Sequence, residues 1–190
     1  MSDFLPEGTT IPKGESNYMR FSKPENKFRV LASAITGYEL WVSGKPKRSK
    51  ENEFTSTDLE KADIDKFTGK KKTPQYFWAF PVFNYQTGKI EILEVTQVTI
   101  MRGIEDYLKD EDYGDPKNYD LNVIRDETGD KVEYRVKAKP PKPLDEGIQV
   151  AFNDMKINLR ALYESKDPFS TEDAINVDEI DKGIQKSKLN

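Results

Sequence analysis

Polar and apolar residues alternate through Lys27-Phe28-Arg29-Val30-Leu31-Ala32, and a period of two predicts a strand. Gly37 to Val42 (GYELWV) continues it after a bend. The strongest strand signal is Gln75 to Tyr85 (QYFWAFPVFNY), and the turn Gln86-Thr87-Gly88 joins it to Lys89–Val95 as a hairpin. Pro81 brings no amide donor, so it belongs at an edge, a bulge or a barrel corner. The period then becomes helical: Val98, Ile100, Met101, Ile104 and Leu108 follow a Thr96 cap, and the acidic loop Asp110–Asp115 ends the helix. A second hairpin pairs Tyr119–Asp126 with Lys131–Ala138 around Glu127-Thr128-Gly129-Asp130. In it Tyr119, Leu121 and Val123 share a side with Val132, Tyr134 and Val136, leaving Lys131, Glu133, Arg135 and Lys137 opposite.

Between the first and second strands lies an insertion, about 44–74. It opens with the basic loop Ser43–Lys50, broken by Gly44 and Pro46. Ser56 or Thr57 caps a short helix to about Phe67, ended by Thr68-Gly69, and Lys70-Lys71-Lys72 follows. Pro140-Pro141-Lys142-Pro143 stops the last strand, and Phe152, Leu159 and Leu162 predict a helix near 148–164. Residues 1–26 read as an extended lead-in and 165–190 as a tail with a short helix at Val177–Ile184. Strand, insertion, strand, strand, helix, strand, strand is the order of the OB-fold, a five-stranded barrel. The expected fold is therefore mainly β: an OB barrel over 27–164, with the insertion and a C-terminal helix.

Composition narrows the chemistry. A length of 190 residues suits one domain, and 11% aromatics argue against a disordered chain despite 34% charged residues. There is no cysteine and no histidine, which removes disulfides, thiol nucleophiles, Cys/His zinc sites and the commonest general base at neutral pH. The start MSDFLPEGTT lacks a basic n-region and an apolar h-region, and no stretch approaches ~20 apolar residues, so a cytoplasmic protein without a membrane span is expected. No phosphate-loop, dinucleotide or nucleophile-elbow motif is present, and Asp110, Glu111, Asp112 and Asp115 lack the twelfth-position Glu of a calcium loop. No enzyme and no cofactor are expected.

The net charge of −4 hides a segregated distribution. Lys13–Lys89 carries 15 basic against 9 acidic residues and Lys131–Lys142 carries 5 against 1, while Glu105–Asp115 carries 6 acidic against 1 basic. The end, Glu164–Asn190, carries 7 acidic against 4 basic. A polyanion responds to the local field of a patch, so a negative total does not exclude nucleic acid.

The segments SNYMRF (Ser16–Phe21), ENKFRVL (Glu25–Leu31), YFWAFPVFNY (Tyr76–Tyr85) and KIEILEVTQ (Lys89–Gln97) resemble tailed-phage single-stranded DNA-binding proteins, over about Phe4 to Phe169. The arrangement is similar, more distantly, to the T4-type helix-destabilising proteins, where an aromatic strand and a Gly-Lys hairpin also lead into a helix. The resemblance implies non-specific coating of single strands during phage replication, recombination or repair, in the cytoplasm of the infected host. It also implies a C-terminal tail that meets replication or recombination proteins. Two features depart from it. The zinc-binding insertion of the T4-type proteins has no ligands here, and the tail closes with Lys182, Lys186 and Lys188 instead of a dense acidic run.

Sequence-independent binding of single strands needs cations for phosphates and flat rings for bases. The candidate cations are Lys45, Lys47, Arg48, Lys70, Lys71, Lys72, Lys89, Arg135, Lys137, Lys139 and Lys142; the candidate rings are Trp41, Tyr76, Trp78 and Phe80. Tyr76, Trp78 and Phe80 share one side of their strand and Phe77, Phe83 and Tyr85 the other, and one side must fill the barrel. The outer face is assigned to Tyr76 and Trp78, whose polar handles tolerate water. The loop at 43–74 and the last strand are expected on one face, as a continuous groove. Two other readings remain: solvated lysines on an OB module that binds a replication or recombination partner, and a magnesium-dependent carboxylate nuclease.

Overall fold

The computed structural model describes residues 16–170 and is mainly β, with an open mixed sheet and a few helices. Strands β1 (Tyr18–Met19), β2 (Glu25–Val30), β3 (Ile35–Val42) and β4 (Lys45–Ser49) precede helix α1 (Ser56–Glu60). Then come β5 (Gln75–Asn84), β6 (Lys89–Val95), α2 (Val98–Lys109), β7 (Asp120–Asp126), β8 (Glu133–Ala138) and α3 (Glu146–Asp154). A short 3-10 helix, Leu159–Glu164, follows. The expected Val177–Ile184 helix and the lysines of the tail lie outside the described residues.

β5 is the hub of the sheet. Its first half pairs antiparallel with β3 (Tyr38 opposite Tyr76), its second half with β2 (Arg29 opposite Phe83), and β6 runs along its other edge (Phe80 opposite Leu93). β2 and β3 thus act as one long strand bent at residues 31–34. Pro81 stands where the partner of β5 changes from β3 to β2, the corner its missing donor required, and its carbonyl accepts from the Leu31 amide. β7 pairs with β2, and β8 with β7. No backbone ladder joins β6 to β8, so the ladders of the described residues leave the sheet open there.

The lead-in expected over 1–26 contributes structure: Tyr18–Met19 pairs parallel with β6, Met19 is buried, and Phe21 lies 5.9 Å from Tyr134 of β8. The basic loop expected at 43–50 is instead a hairpin. Ser43 and Gly44 take φ of +52° and +77°, the two positive values of a tight two-residue turn, and β4 pairs with β3. Pro46 is tolerated because β4 has no partner on its other side. Helix α1 is shorter than expected and capped by Thr55, whose hydroxyl accepts from the Asp58 amide while the Asp58 carboxylate accepts from the Thr55 amide, a capping box. α2 begins after Gln97 and not from a Thr96 cap.

The main core fills the space between the inner face of the sheet and α2. Phe28, Val30, Phe80, Val82, Leu93, Val95, Leu121 and Val123 meet Ile100, Met101 and Ile104. α2 approaches β8 so closely that a Cβ on Gly103 would stand 2.7 Å from a Val136 methyl. Val98 and Leu108, expected on the buried stripe, are exposed. Val98 opens the helix and Leu108 sits in its last turn, so both lie at the ends of the stripe, beyond the packed middle. A second, smaller core lies on the other face of β5 and β6: Phe77, Ala79 and Ile92 pack against Leu159 and Leu162, flanked by Tyr18, Ile35, Tyr163 and Phe169. The helix expected over 148–164 is therefore two pieces. α3 buries none of its residues, and the 3-10 helix seals the sheet. The packed chain runs past Ser165, since Phe169 joins this core and the Asn158 amide donates to Pro168 O.

Candidate nucleic-acid interface

The rings proposed for stacking separate by depth. Tyr76 is 43% exposed and meets Tyr38 edge-on at 5.3 Å, because β5 begins one turn of the ladder before the core does. Trp78 is half-buried against the main core. Phe80 is a correction: at 3% exposure it belongs wholly to the core, packed in the cluster that α2 seals, and no base can reach it. The outer face expected at Tyr76 and Trp78 is a correction too: the side of β5 they share with Phe80 faces the main core, and the C-terminal segment fills the opposite, outer side at Phe77 and Ala79.

Trp41 lies in the last turns of β3, beyond the start of β5, and is 37% exposed. Its indole Nε1–H donates to Glu39 Oε1 at 2.8 Å, and Lys72 Nζ sits 5.1 Å from its ring centre. The ring is fixed from below and flanked by a cation. Phe67, which sequence reasoning passed over as a helix end, is 99% exposed. Asp65 builds the turn that presents it: its Oδ1 accepts from the amides of Phe67 at 3.1 Å and Thr68 at 2.8 Å, and from the Thr68 hydroxyl. Lys66 and Lys70–Lys72 flank this ring in sequence. An apolar ring between lysines in a loop was the available signal.

Lys45, Lys70, Lys71 and Lys89 are exposed, and Lys47 is exposed while paired to Asp58 at 2.7 Å. Arg48 is the second correction. Its side chain is only 9% exposed and its Nη2 pairs with Glu39 at 3.0 Å and Glu94 at 2.8 Å, so it is committed internally. Two buried carboxylates share that one guanidinium. Burial pushes the Glu94 carboxyl up, the neighbouring Glu39 adds to the shift, and Arg48 opposes it; the result is about 8.

Arg135, Lys137, Lys139 and Lys142 are exposed at the other end of the sheet. The registers put Lys137 opposite Asn122, Lys27 opposite Asn122 and Arg29 opposite Phe83, so these side chains share the outer face across β8, β7, β2 and β5. Lys27, Arg29, Phe83 and Tyr85 were not among the expected site residues. Their strict alternation with the core residues Phe28 and Val30 was legible, but only the pairing showed what stands beside them. The continuous groove expected between the insertion and β8 does not form. Along β5 the outer face is open near Trp41, covered at Phe77 and Ala79, and open again at Phe83 and Tyr85.

Among the described residues no group of three or more carboxylates is placed to hold a metal ion, and no helix is long and apolar enough to cross a membrane. The acidic loop spends its carboxylates on backbone: Asp110 accepts from the Asp112 amide and Asp115 from the Lys117 amide. No protein-family model, curated protein or solved structure matches the chain.

Proposed function

We propose that this chain binds single-stranded DNA without sequence preference, through an OB-type barrel left open at one seam, and protects it during phage replication, recombination or repair. One observation carries the reading: Phe67 and Trp41 are held in the open by Asp65 and Glu39, with Lys72 beside Trp41 and lysines on both sides of Phe67 in sequence. A soluble domain gains nothing in stability from a fully exposed Phe, whereas a ring among cations is what an unpaired base on a phosphate chain requires. The OB reading rests on the ladders β2/β3–β5, β5–β6, β2–β7 and β7–β8, with α2 between the third and fourth of the barrel strands. Phosphates follow the lysines of the insertion, and bases meet Trp41, Phe67 and Tyr76.

The test is tryptophan fluorescence during titration with oligo-dT at two salt concentrations. Quenching, with weaker binding at high salt, is the expected result; no binding by any readout at low salt overturns the reading. Phe67→Ala is expected to weaken binding by about 1–3 kcal/mol, one stacked base, without changing the salt dependence. Replacing Lys70, Lys71 and Lys72 together is expected to flatten the log–log slope by about 0.7 for each phosphate released. A second reading, an OB module that binds a protein partner, is favoured by α3, which buries none of its residues and exposes Val150. It predicts no salt-dependent affinity for DNA.

A further inference from the structure

Asp120 lies at the start of β7 on the outer face, its side chain 1% exposed, and three cations converge on it. Arg29 Nε donates to Oδ1 at 2.8 Å and the Tyr85 hydroxyl donates to the same oxygen at 2.9 Å. Lys27 Nζ and Lys142 Nζ each stand 3.0 Å from Oδ2. One carboxylate thus contacts three cations, the charge of Asp145 also acts on the neighbouring Tyr85, and the remaining positive charge is at the surface: Lys27 is 38% and Lys142 53% exposed, whereas Arg29 is buried. Each ammonium carries three N–H donors and turns no more than one to Oδ2, so both keep donors for another acceptor. Arg29 fixes the site from below, since its Nη1 donates to Lys117 O at 3.3 Å and to Lys142 O at 3.1 Å. Lys27 is steadied by the Tyr85 ring, 4.2 Å from its Nζ. Two ammonium groups drawn to a single oxygen repel one another, and a second anion between them would offset that repulsion.

We propose that Lys27 and Lys142, organised by Asp120 and Arg29, form a seat for one phosphodiester of a single strand. The strand's backbone crosses β2, β7 and β8 there towards Lys137 and Arg135, which project from the same face. The proposal rests on the single-strand reading and adds a second contact region, separated from Trp41 and Phe67 by the covered part of β5. Lys27 and Lys142 are the binding residues; Arg29 and Asp120 are positioning residues.

The experiment compares the full chain with Lys27→Gln/Lys142→Gln and with Lys27→Arg/Lys142→Arg, each titrated with oligo-dT across a salt series and separately with inorganic pyrophosphate. The Arg29–Asp120 pair stays in both variants, and thermal unfolding checks that the fold is kept. The Gln pair is expected to bind oligo-dT about tenfold more weakly at low salt, the loss of a charge-assisted contact. Its slope is expected to flatten by about 0.7, one phosphate, while the Arg pair keeps the slope. An unchanged slope in the Gln pair, with the parent protein binding oligo-dT normally, overturns the seat and leaves the single-strand reading standing. Pyrophosphate binding that the Gln pair loses, in a parent protein that ignores oligo-dT, overturns both the single-strand reading and the phosphodiester assignment. It would make the site a seat for a small free phosphate.

Discussion

At one end of the outer face of β5, two carboxylates share one guanidinium beneath the C-terminal segment. At the other end, three cations share one carboxylate, and two of them reach solvent. The two clusters have opposite surplus charge and resolve it differently. Glu39 and Arg48 are largely buried and Glu94 partly so, and the surplus is removed by a proton that Glu94 retains up to about pH 8. At Asp120, burial alone would raise the carboxyl, but Lys27, Lys142, Arg29 and Tyr85 outweigh it and bring it down to about 2. The surplus there is positive and lies on lysines that reach solvent, where water or an anion answers it. The same sheet face thus carries a structural charge cluster and a receptive one, and the cover of Leu159 and Leu162 makes the difference.

The largest effect that would break this contrast comes from Asp120→Ala. Arg29 would be left buried without its carboxylate, and urea denaturation is expected to show a loss of about 3–5 kcal/mol. A loss below about 1 kcal/mol would mean that Arg29 is not held by Asp120.

Next comes the pH dependence of the covered cluster. Glu94 titrates near 4.5 when unfolded and near 8 when folded, so the folded state binds the extra proton. Its stabilising contribution is complete below about pH 4.5 and is lost as pH rises through about 8. Stability is expected to fall across that window, and Glu94→Gln should remove the fall. A stability curve that keeps the same fall in the Gln variant would assign the proton elsewhere.

The smallest effect concerns Arg135, whose pair with Asp126 spans 3.4 Å at the surface. Arg135→Ala is expected to change stability by less than about 0.5 kcal/mol, while lowering the salt slope of DNA binding if the strand crosses β8. A stability loss without a change of slope would make Arg135 structural.

Much of the fold was legible because local period and local pairing agree. The β5–β6 hairpin follows from QYFWAFPVFNY, a Gly-bearing turn and KIEILEV, and β6 falls on the expected residues. Tyr119, Leu121 and Val123 face the core as the alternation required. Site residues were less legible. Periodicity gives two faces to β5 and cannot say that both are covered at Phe77–Phe80, because the cover on one of them comes from a segment about eighty residues further on. Arg48 read as a loop cation because its partners, Glu39 and Glu94, become neighbours only when β3 meets β4 and β5 meets β6.

By itself the sequence determined the central hairpins, helix α2, the mainly β class and the absence of thiol and imidazole side chains, since these depend on residue identity and short-range period. It also determined where cations gather along the chain. Only the tertiary structure decided which cations are free and which are spent, and which rings stand in water. Ion pairing and burial are set by residues distant in sequence: Asp120 collects Lys27, Arg29, Tyr85 and Lys142 from four separate segments, and no local pattern encodes that meeting.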